Sequence, residues 1–279
     1  MINMAKAEHI LKCQQAAAEI RRDIIEMAYA AGNLGAHLGG SLSMAEILAA
    51  LYIGTAKFDR NNLEWEERDR IILSKGHAAL AFYPALAQAE ILEKDELHTF
   101  KKNGSRLSGH PSLNGLPGIE YASGSLGQGL SLGVGVCLAL RKKNNLSSRV
   151  FVLMGDGECD EGSVWEAAAS ASHFQLNQLV AIIDRNHIQY DGETSRVMSM
   201  EPMPEKWKSF GWDAQEVDGH NTGALLDAYG IKGSKPLAII ADTVKGKGIS
   251  FMEGNCRFHN SRLSEAQYQQ AVAELGDGL

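Results

Sequence analysis

Apolar positions along the chain switch between two periods. Ile20, Ile24, Met27 and Ala31 recur at helical spacing, which predicts one buried face of a helix with Gly32 as its stop. Three Ser-initiated segments read as capping boxes that open helices: Ser43-Met44-Ala45-Glu46, Ser163-Val164-Trp165-Glu166 and Ser264-Glu265-Ala266-Gln267. Between the helical stretches lie short unbroken runs of Val, Ile and Leu, at Ile71–Leu73, Val150–Met154, Leu179–Asp184 and Leu237–Thr243. Such runs suit strands covered on both faces, so the expected class is α/β, a parallel sheet flanked by helices on both faces. The long Gly-, Ser- and Pro-containing stretch Asn103–Gly129 predicts a functional or partly disordered loop. No linker or internal repeat stands out, so residues 1–279 are expected to form a single domain.

Size permits a large core, since 44% of the 279 residues are hydrophobic. A formal charge of −7 argues against nucleic acid, whose phosphates call for a basic face. Four cysteines, Cys13, Cys137, Cys159 and Cys256, form no CxxC pair, which suggests neither zinc nor a disulfide framework. Cys13 and Cys137 fall in apolar helical patterns and read as core residues. A reducing cytoplasm is the expected home. No run of about 18 apolar residues predicts a membrane span, and the first residues lack the features of a signal peptide.

Chemistry enters at Val152-Leu153-Met154-Gly155-Asp156-Gly157, followed after 30 positions by Ile182-Ile183-Asp184-Arg185-Asn186. Each reads as a strand running into a turn. Ligands of open parallel sheets sit beyond the carboxyl ends of strands, so two adjacent ends would bring Asp156 and Asn186 together. A carboxylate and a carboxamide oxygen, with the Ile188 carbonyl just beyond as a third donor, suit magnesium, which takes oxygen ligands and shares its octahedron with phosphate and water. Gly155 and Gly157 let a diphosphate approach the backbone, and a helix starting near Ser163 would point its positive end at the anion. Taken alone, the GDG tripeptide is better explained by an ordinary tight turn; the strand before it, the helix after it and the second strand ending in Asn186 reverse that. No GxxxxGK[ST] loop is present, and no GxGxxG turn follows an early strand, which weakens nucleotide-binding readings.

This spacing resembles the thiamine-diphosphate fingerprint, and its surroundings resemble transketolase. Gly35-Ala36-His37-Leu38-Gly39-Gly40, Ser74-Lys75-Gly76-His77, Gly109-His110-Pro111 and Gly124-Ser125-Leu126-Gly127-Gln128-Gly129 occur in the family's order, with Lys245-Gly246-Lys247-Gly248 and His259 after them. The resemblance covers nearly the whole chain but only the N-terminal half of an ordinary transketolase. It implies magnesium on Asp156, Asn186 and the Ile188 carbonyl. It implies that His77, Gly157 and Asn186 contact the diphosphate, which His259 also reaches. Gly124, Ser125 and Leu126 would present backbone to the aminopyrimidine, and His37, His110 and His259 would line the sugar site. Glu161 matches an acid that helps couple paired active sites.

Imidazoles suit such roles because they exchange protons near neutral pH. His9, His98 and His173 match no motif and read as structural or surface residues, as does His187 within the cofactor loop. Two departures from the family pattern bear on geometry and acceptor preference: Ser125 stands where many transketolases have proline, and Asn260-Ser261-Arg262-Leu263 replaces a Gly- and Pro-containing run.

The resemblance further implies transfer of a two-carbon unit from a ketose phosphate, or a similar acidic ketose, to an aldose. The glutamate that protonates the cofactor's pyrimidine belongs in this family to a second domain whose motifs are not found here. A partner chain carrying the pyrimidine-binding and C-terminal domains is therefore expected, as a heterotetramer. Three other readings stay open: an α subunit of a 2-oxo-acid dehydrogenase, a relative of 1-deoxyxylulose-phosphate synthase, and a non-catalytic cofactor-binding subunit.

Overall fold

The computed structural model describes residues 4–276; the outermost residues of the expected domain lie outside that range. In chain order the elements are α1 (Met4–Ala30), α2 (Gly39–Leu42), α3 (Ala45–Tyr52), β1 (Arg70–Leu73), α4 (Ala79–Gln88) and α5 (Gln128–Lys142). Then come β2 (Val150–Gly155), α6 (Gly162–His173), β3 (Leu179–Arg185), β4 (Ile188–Gln189), β5 (Gly192–Glu193), α7 (Thr194–Val197) and α8 (Met203–Ser209). The rest are β6 (Asp213–Asp218), α9 (Thr222–Tyr229), β7 (Leu237–Asp242) and α10 (Glu265–Leu275).

Five strands form one sheet in the order β1-β2-β3-β7-β6, and every pairing is parallel. Alternate residues of each strand feed two cores, as the pleat dictates. Ile71, Leu73, Phe151, Leu153, Val180, Ile182 and Ile239 pack on the face covered by α1, α3, α4 and α9. Ile72, Val150, Val152, Met154, Ala181, Ile183 and Ile240 pack on the face covered by α5, α6 and α8. With both faces dry, β1, β2, β3 and β7 carry continuous apolar runs rather than an alternation. All four expected strands are present. Helices cover both faces of the parallel sheet, as expected.

Two of the three expected capping boxes are absent. α3 begins at Ala45 without a side-chain cap, and the Ser43 hydroxyl instead donates to Asp184 Oδ2 at 2.6 Å. α6 begins at Gly162, one residue before Ser163, whose hydroxyl donates to the Gly127 carbonyl. In both cases a tertiary acceptor outcompetes the local one. Ser264 does form the full capping box with Gln267. The stretch Asn103–Gly129 has no regular element until α5 opens at Gln128.

Because the strands are parallel, the carboxyl ends of β2, β3 and β7 open on one rim. The register pairs Gly155 with Asp184 and Asp184 with Ala241, so the turns that follow these strands are neighbours.

Candidate active site

At that rim lies a cavity of about 420 Å³. Its walls include His37, His77, His110, His259, Gly124, Leu126, Asp156, Gly157, Asn186 and Ile188. Segments spread from residue 37 to residue 259 thus converge on one space. Of the residues singled out from sequence for cofactor, metal or sugar, Ser125 alone is not in this lining; it is exposed.

At the strand-end side, Asp156 is buried. Its Oδ1 accepts from the Gly157 amide at 2.9 Å and its Oδ2 from the His187 amide at 2.7 Å. Burial, then repulsion from Asp184, raises the Asp156 carboxyl above its usual range despite these two bonds. A carboxylate so placed gains from a nearby cation. Asn186 is buried beside it, and its amide nitrogen donates to Asp184 Oδ2 at 2.9 Å. That bond commits the nitrogen and turns Oδ1 the other way, where it accepts from the Ile188 amide at 3.2 Å. One carboxylate and neutral oxygens on adjoining turns form a donor set suited to a hard divalent ion. The Ile188 carbonyl accepts from Lys245 Nζ, and an oxygen with two lone pairs keeps one for a second partner.

Facing this end is a cluster of four imidazoles. The His37 ring centroid lies 5.4 Å from that of His77, 5.6 Å from His110 and 5.5 Å from His259. His77 and His259 stack at 5.2 Å. The crowd disfavours charge. Burial, then His110, Lys101 and Lys245, push His37 down to about 4. Burial, then Lys245, His37 and Lys75, push His259 down to about 3. His77 falls well below its ordinary value, and His110 is lowered too, both chiefly by burial. At neutral pH the cluster is therefore uncharged, with each ring able to offer one donor and one acceptor. Lys245 Nζ lies 3.0 Å from His259 Nδ1, so the ammonium makes Nδ1 the acceptor and leaves the proton on Nε2.

A family model described as the thiamine diphosphate binding domain of transketolase matches residues 13–278. The chain belongs to the transketolase family. It is 44% identical over 248 residues to the 6-deoxy-6-sulfo-D-fructose transketolase subunit SqwG of Clostridium sp. (strain MSTE9), covering 88% of this chain and 90% of that protein. It is 39% identical over 262 residues to an apulose-4-phosphate transketolase subunit from Phocaeicola vulgatus, covering 93% and 92%. Among solved structures, transketolase from Campylobacter jejuni superposes with a TM-score of 0.87 at 29% identity, over 95% of this chain. The chain spans only 43% of that transketolase's length. This membership sets aside the 2-oxo-acid dehydrogenase and 1-deoxyxylulose-phosphate synthase readings.

Several groups in the transketolase cavity stand out only once the chain is folded. The Lys75 ammonium, from the SKGH motif, is almost fully buried and pairs with Asp184 at 2.5 Å. Asp184 also accepts from Ser43, Thr243 and Asn186. Burial alone would raise its carboxyl, but the Lys75 charge and these donors hold it below its usual range. Lys245 reaches the cavity past Gly39, where a Cβ would stand 2.8 Å from its Cγ. Glu158 is buried under the Gly124–Gly129 loop, accepting from Ser74 Oγ and from the Gly127 and Gly155 amides. The sequence signal for both lysines was their place inside the family-like motifs. Glu161 also lines the cavity. His9, His98 and His173 are exposed and lie outside the cavity lining. No helix among the described residues is long and apolar enough to cross a membrane.

Proposed function

We propose that this chain is the N-terminal subunit of a two-chain transketolase, which moves a two-carbon ketol unit from a ketose phosphate or similar acidic ketose to an aldose with thiamine diphosphate and magnesium. The observation that carries the reading is the shared cavity: four neutral imidazoles face a buried carboxylate–carboxamide pair at the ends of β2 and β3.

Asp156, Asn186 and the Ile188 carbonyl would hold the magnesium. His77, Gly157, Asn186 and His259 would meet the diphosphate, with Lys245 supplying positive charge beside it. Gly124, Ser125 and Leu126 would offer backbone to the aminopyrimidine. When bound, the cofactor supplies a nucleophilic carbon and an electron sink for the transferred unit. His37, His110 and His259 bind the sugar's carbonyl and hydroxyl oxygens and pass protons to and from them. Being neutral at pH 7, His37 and His110 can each donate a hydrogen bond from one nitrogen and accept at the other, and His259, whose Nδ1 faces Lys245, offers its Nε2 proton; the same lowering weakens all three as bases.

Residues 1–279 act as one diphosphate-binding domain. A complementary chain brings the pyrimidine-binding and C-terminal domains, including the glutamate that protonates the pyrimidine, and the two assemble as a heterotetramer in the cytoplasm. What supports the split is that two relatives of similar length are named as subunits, whereas the solved transketolase is more than twice as long. One of those relatives is named for a sulfonated ketose and the other for a phosphorylated sugar, which supports an anionic donor.

The test is reconstitution. The purified chain alone should show no transfer, and turnover should appear on adding the complementary chain. Full activity from the lone chain refutes the two-chain reading. Asp156→Ala should abolish magnesium-dependent cofactor binding by calorimetry with the circular dichroism unchanged; undiminished binding refutes the metal assignment. His110→Ala separates an enzyme from a cofactor-holding scaffold, because a scaffold would lose no partner-dependent turnover.

A further inference from the structure

Lys245 owes its position to a loop with little regular structure, yet that loop is held on both sides of the lysine by one buried polar network. Arg21 from α1 donates through Nη2 to both oxygens of Glu46 from α3, at 2.8 and 2.7 Å. Glu46 Oε2 lies 3.0 Å from His220 Nδ1, in the turn after β6. All three side chains are mostly buried, at 11%, 13% and 16% exposure for Arg21, Glu46 and His220. Burial would raise the Glu46 carboxyl, but His220 and Arg21 hold it below its usual range, so it stays an anion.

The outer ends of this network both terminate on the backbone around Lys245. The Val244 amide donates to His220 Nε2 at 2.9 Å. Arg21 Nε donates to the Lys247 carbonyl at 3.1 Å. The first bond fixes the tautomer: Nε2 accepts, so Nδ1 carries the proton and donates to Glu46. Gly248, at φ +95°, lets Arg21 pass, since a Cβ there would meet Arg21 Cδ at 2.8 Å. The same loop makes a bond from the Gly246 amide to the Gly39 carbonyl, which joins it to the Gly39-Gly40 segment. Asp218, which accepts from the His220 amide, and Glu253, itself paired with Lys247, are further charged groups near His220.

We propose that Arg21, Glu46 and His220 are positioning residues for the cofactor site: a buried strut that clamps the loop at the Val244 amide and the Lys247 carbonyl, on either side of Lys245, and so aims its ammonium at the Ile188 carbonyl and His259. The strut touches neither substrate nor cofactor; it acts through Lys245. It rests on the reading of the cavity as a diphosphate site, and its test is built to fail separately from that reading.

Three variants test it: His220→Leu, which removes both ring bonds; His220→Gln, whose carboxamide can accept from Val244 and donate to Glu46; and Glu46→Gln, a milder change should the leucine variant not fold. Nitrogen-15 NMR of the wild-type chain should report a neutral His220 with its proton on Nδ1. Amide exchange at Val244 should quicken about tenfold in His220→Leu, as for a lost buried hydrogen bond, and return toward wild type in His220→Gln. Binding of magnesium thiamine diphosphate should weaken about tenfold in His220→Leu and recover in His220→Gln. A purely structural role would instead lower the melting midpoint of both variants alike, without rescue of binding. The proposal is overturned by unchanged Val244 exchange in His220→Leu, by a protonated or Nε2–H imidazole, or by equal loss of binding in the leucine and glutamine variants. If the wild-type chain binds no cofactor even together with its complementary chain, that result counts against the proposed function, and Val244 exchange alone then decides for or against the strut.

Discussion

Removing the Lys75 ammonium should destabilise the chain more than any surface change. The pair it forms with Asp184 is buried on both sides, with side-chain exposures of 2% and 1%. Breaking a buried pair by deleting one partner costs about 3–5 kcal/mol, because the other charge is left in a poor solvent. Asp184 would keep Ser43, Thr243 and Asn186 as donors, which places Lys75→Met at the lower end, about 3 kcal/mol. With ~2–4 °C per kcal/mol for a chain of this size, the melting midpoint should fall by roughly 6–12 °C. The decisive arm is the double variant. Asp184→Asn removes the stranded charge; with its oxygen at the Oδ2 position it keeps the Ser43 and Asn186 donors, and its NH2 can donate to the Thr243 hydroxyl, so Lys75→Met/Asp184→Asn should be more stable than Lys75→Met alone. Urea denaturation of the four proteins measures this cycle. A Lys75→Met loss below about 1 kcal/mol, or a double variant no better than the single, would refute the argument that charge burial governs this site.

Acid should weaken the fold through the imidazole cluster. Unfolded histidines protonate near ~6.5, whereas His37 and His259 stay neutral down to about 4 and about 3. The unfolded chain therefore binds more protons in that window, and the stability present above pH 6.5 is lost progressively as pH falls toward 4. His37→Asn should flatten the slope by about 2 kcal/mol between pH 7 and 4.5, after allowance for a partly exposed ring; denaturation at the two pH values checks it. Glu158→Gln should cost about 1–3 kcal/mol, since its NH2 would face an amide that now donates to Glu158, from Gly127 or Gly155; thermal melting reads the loss. Gly127 sits at φ +80° with Ser163 Oγ 2.6 Å and Glu161 Cβ 2.7 Å from where a Cβ would be, so Gly127→Ala should lower the melting midpoint and weaken cofactor binding in calorimetry.

The sheet was legible because its strands are dry on both faces, so burial wrote itself as the unbroken runs Val150–Met154 and Leu179–Asp184. The same logic hid β6. As an edge strand reading Asp-Ala-Gln-Glu-Val-Asp, it is mostly exposed and carries no apolar signature. The short hairpin of β4 and β5, with only two residues a side, left none either. Ser43 and Ser163 misled because a capping box is a local pattern, whereas their hydroxyls answer to partners 141 and 36 residues away. The histidines and Asp156 were found through motifs in which glycines flag backbone crowding. The partners of Lys75, Lys245 and Glu46 were not readable, because where a long charged side chain ends depends on which distant turns the fold brings within its reach.

The turn at His187 has a consequence for how freely this position can vary. Its φ of +65° is left-handed, its amide serves Asp156, and its ring only meets Asp242 at the surface. What the turn demands is a backbone shape rather than an imidazole. Glycine or asparagine should therefore be tolerated at this position, whereas valine or isoleucine would disturb the Asp156 turn without touching a single proposed ligand.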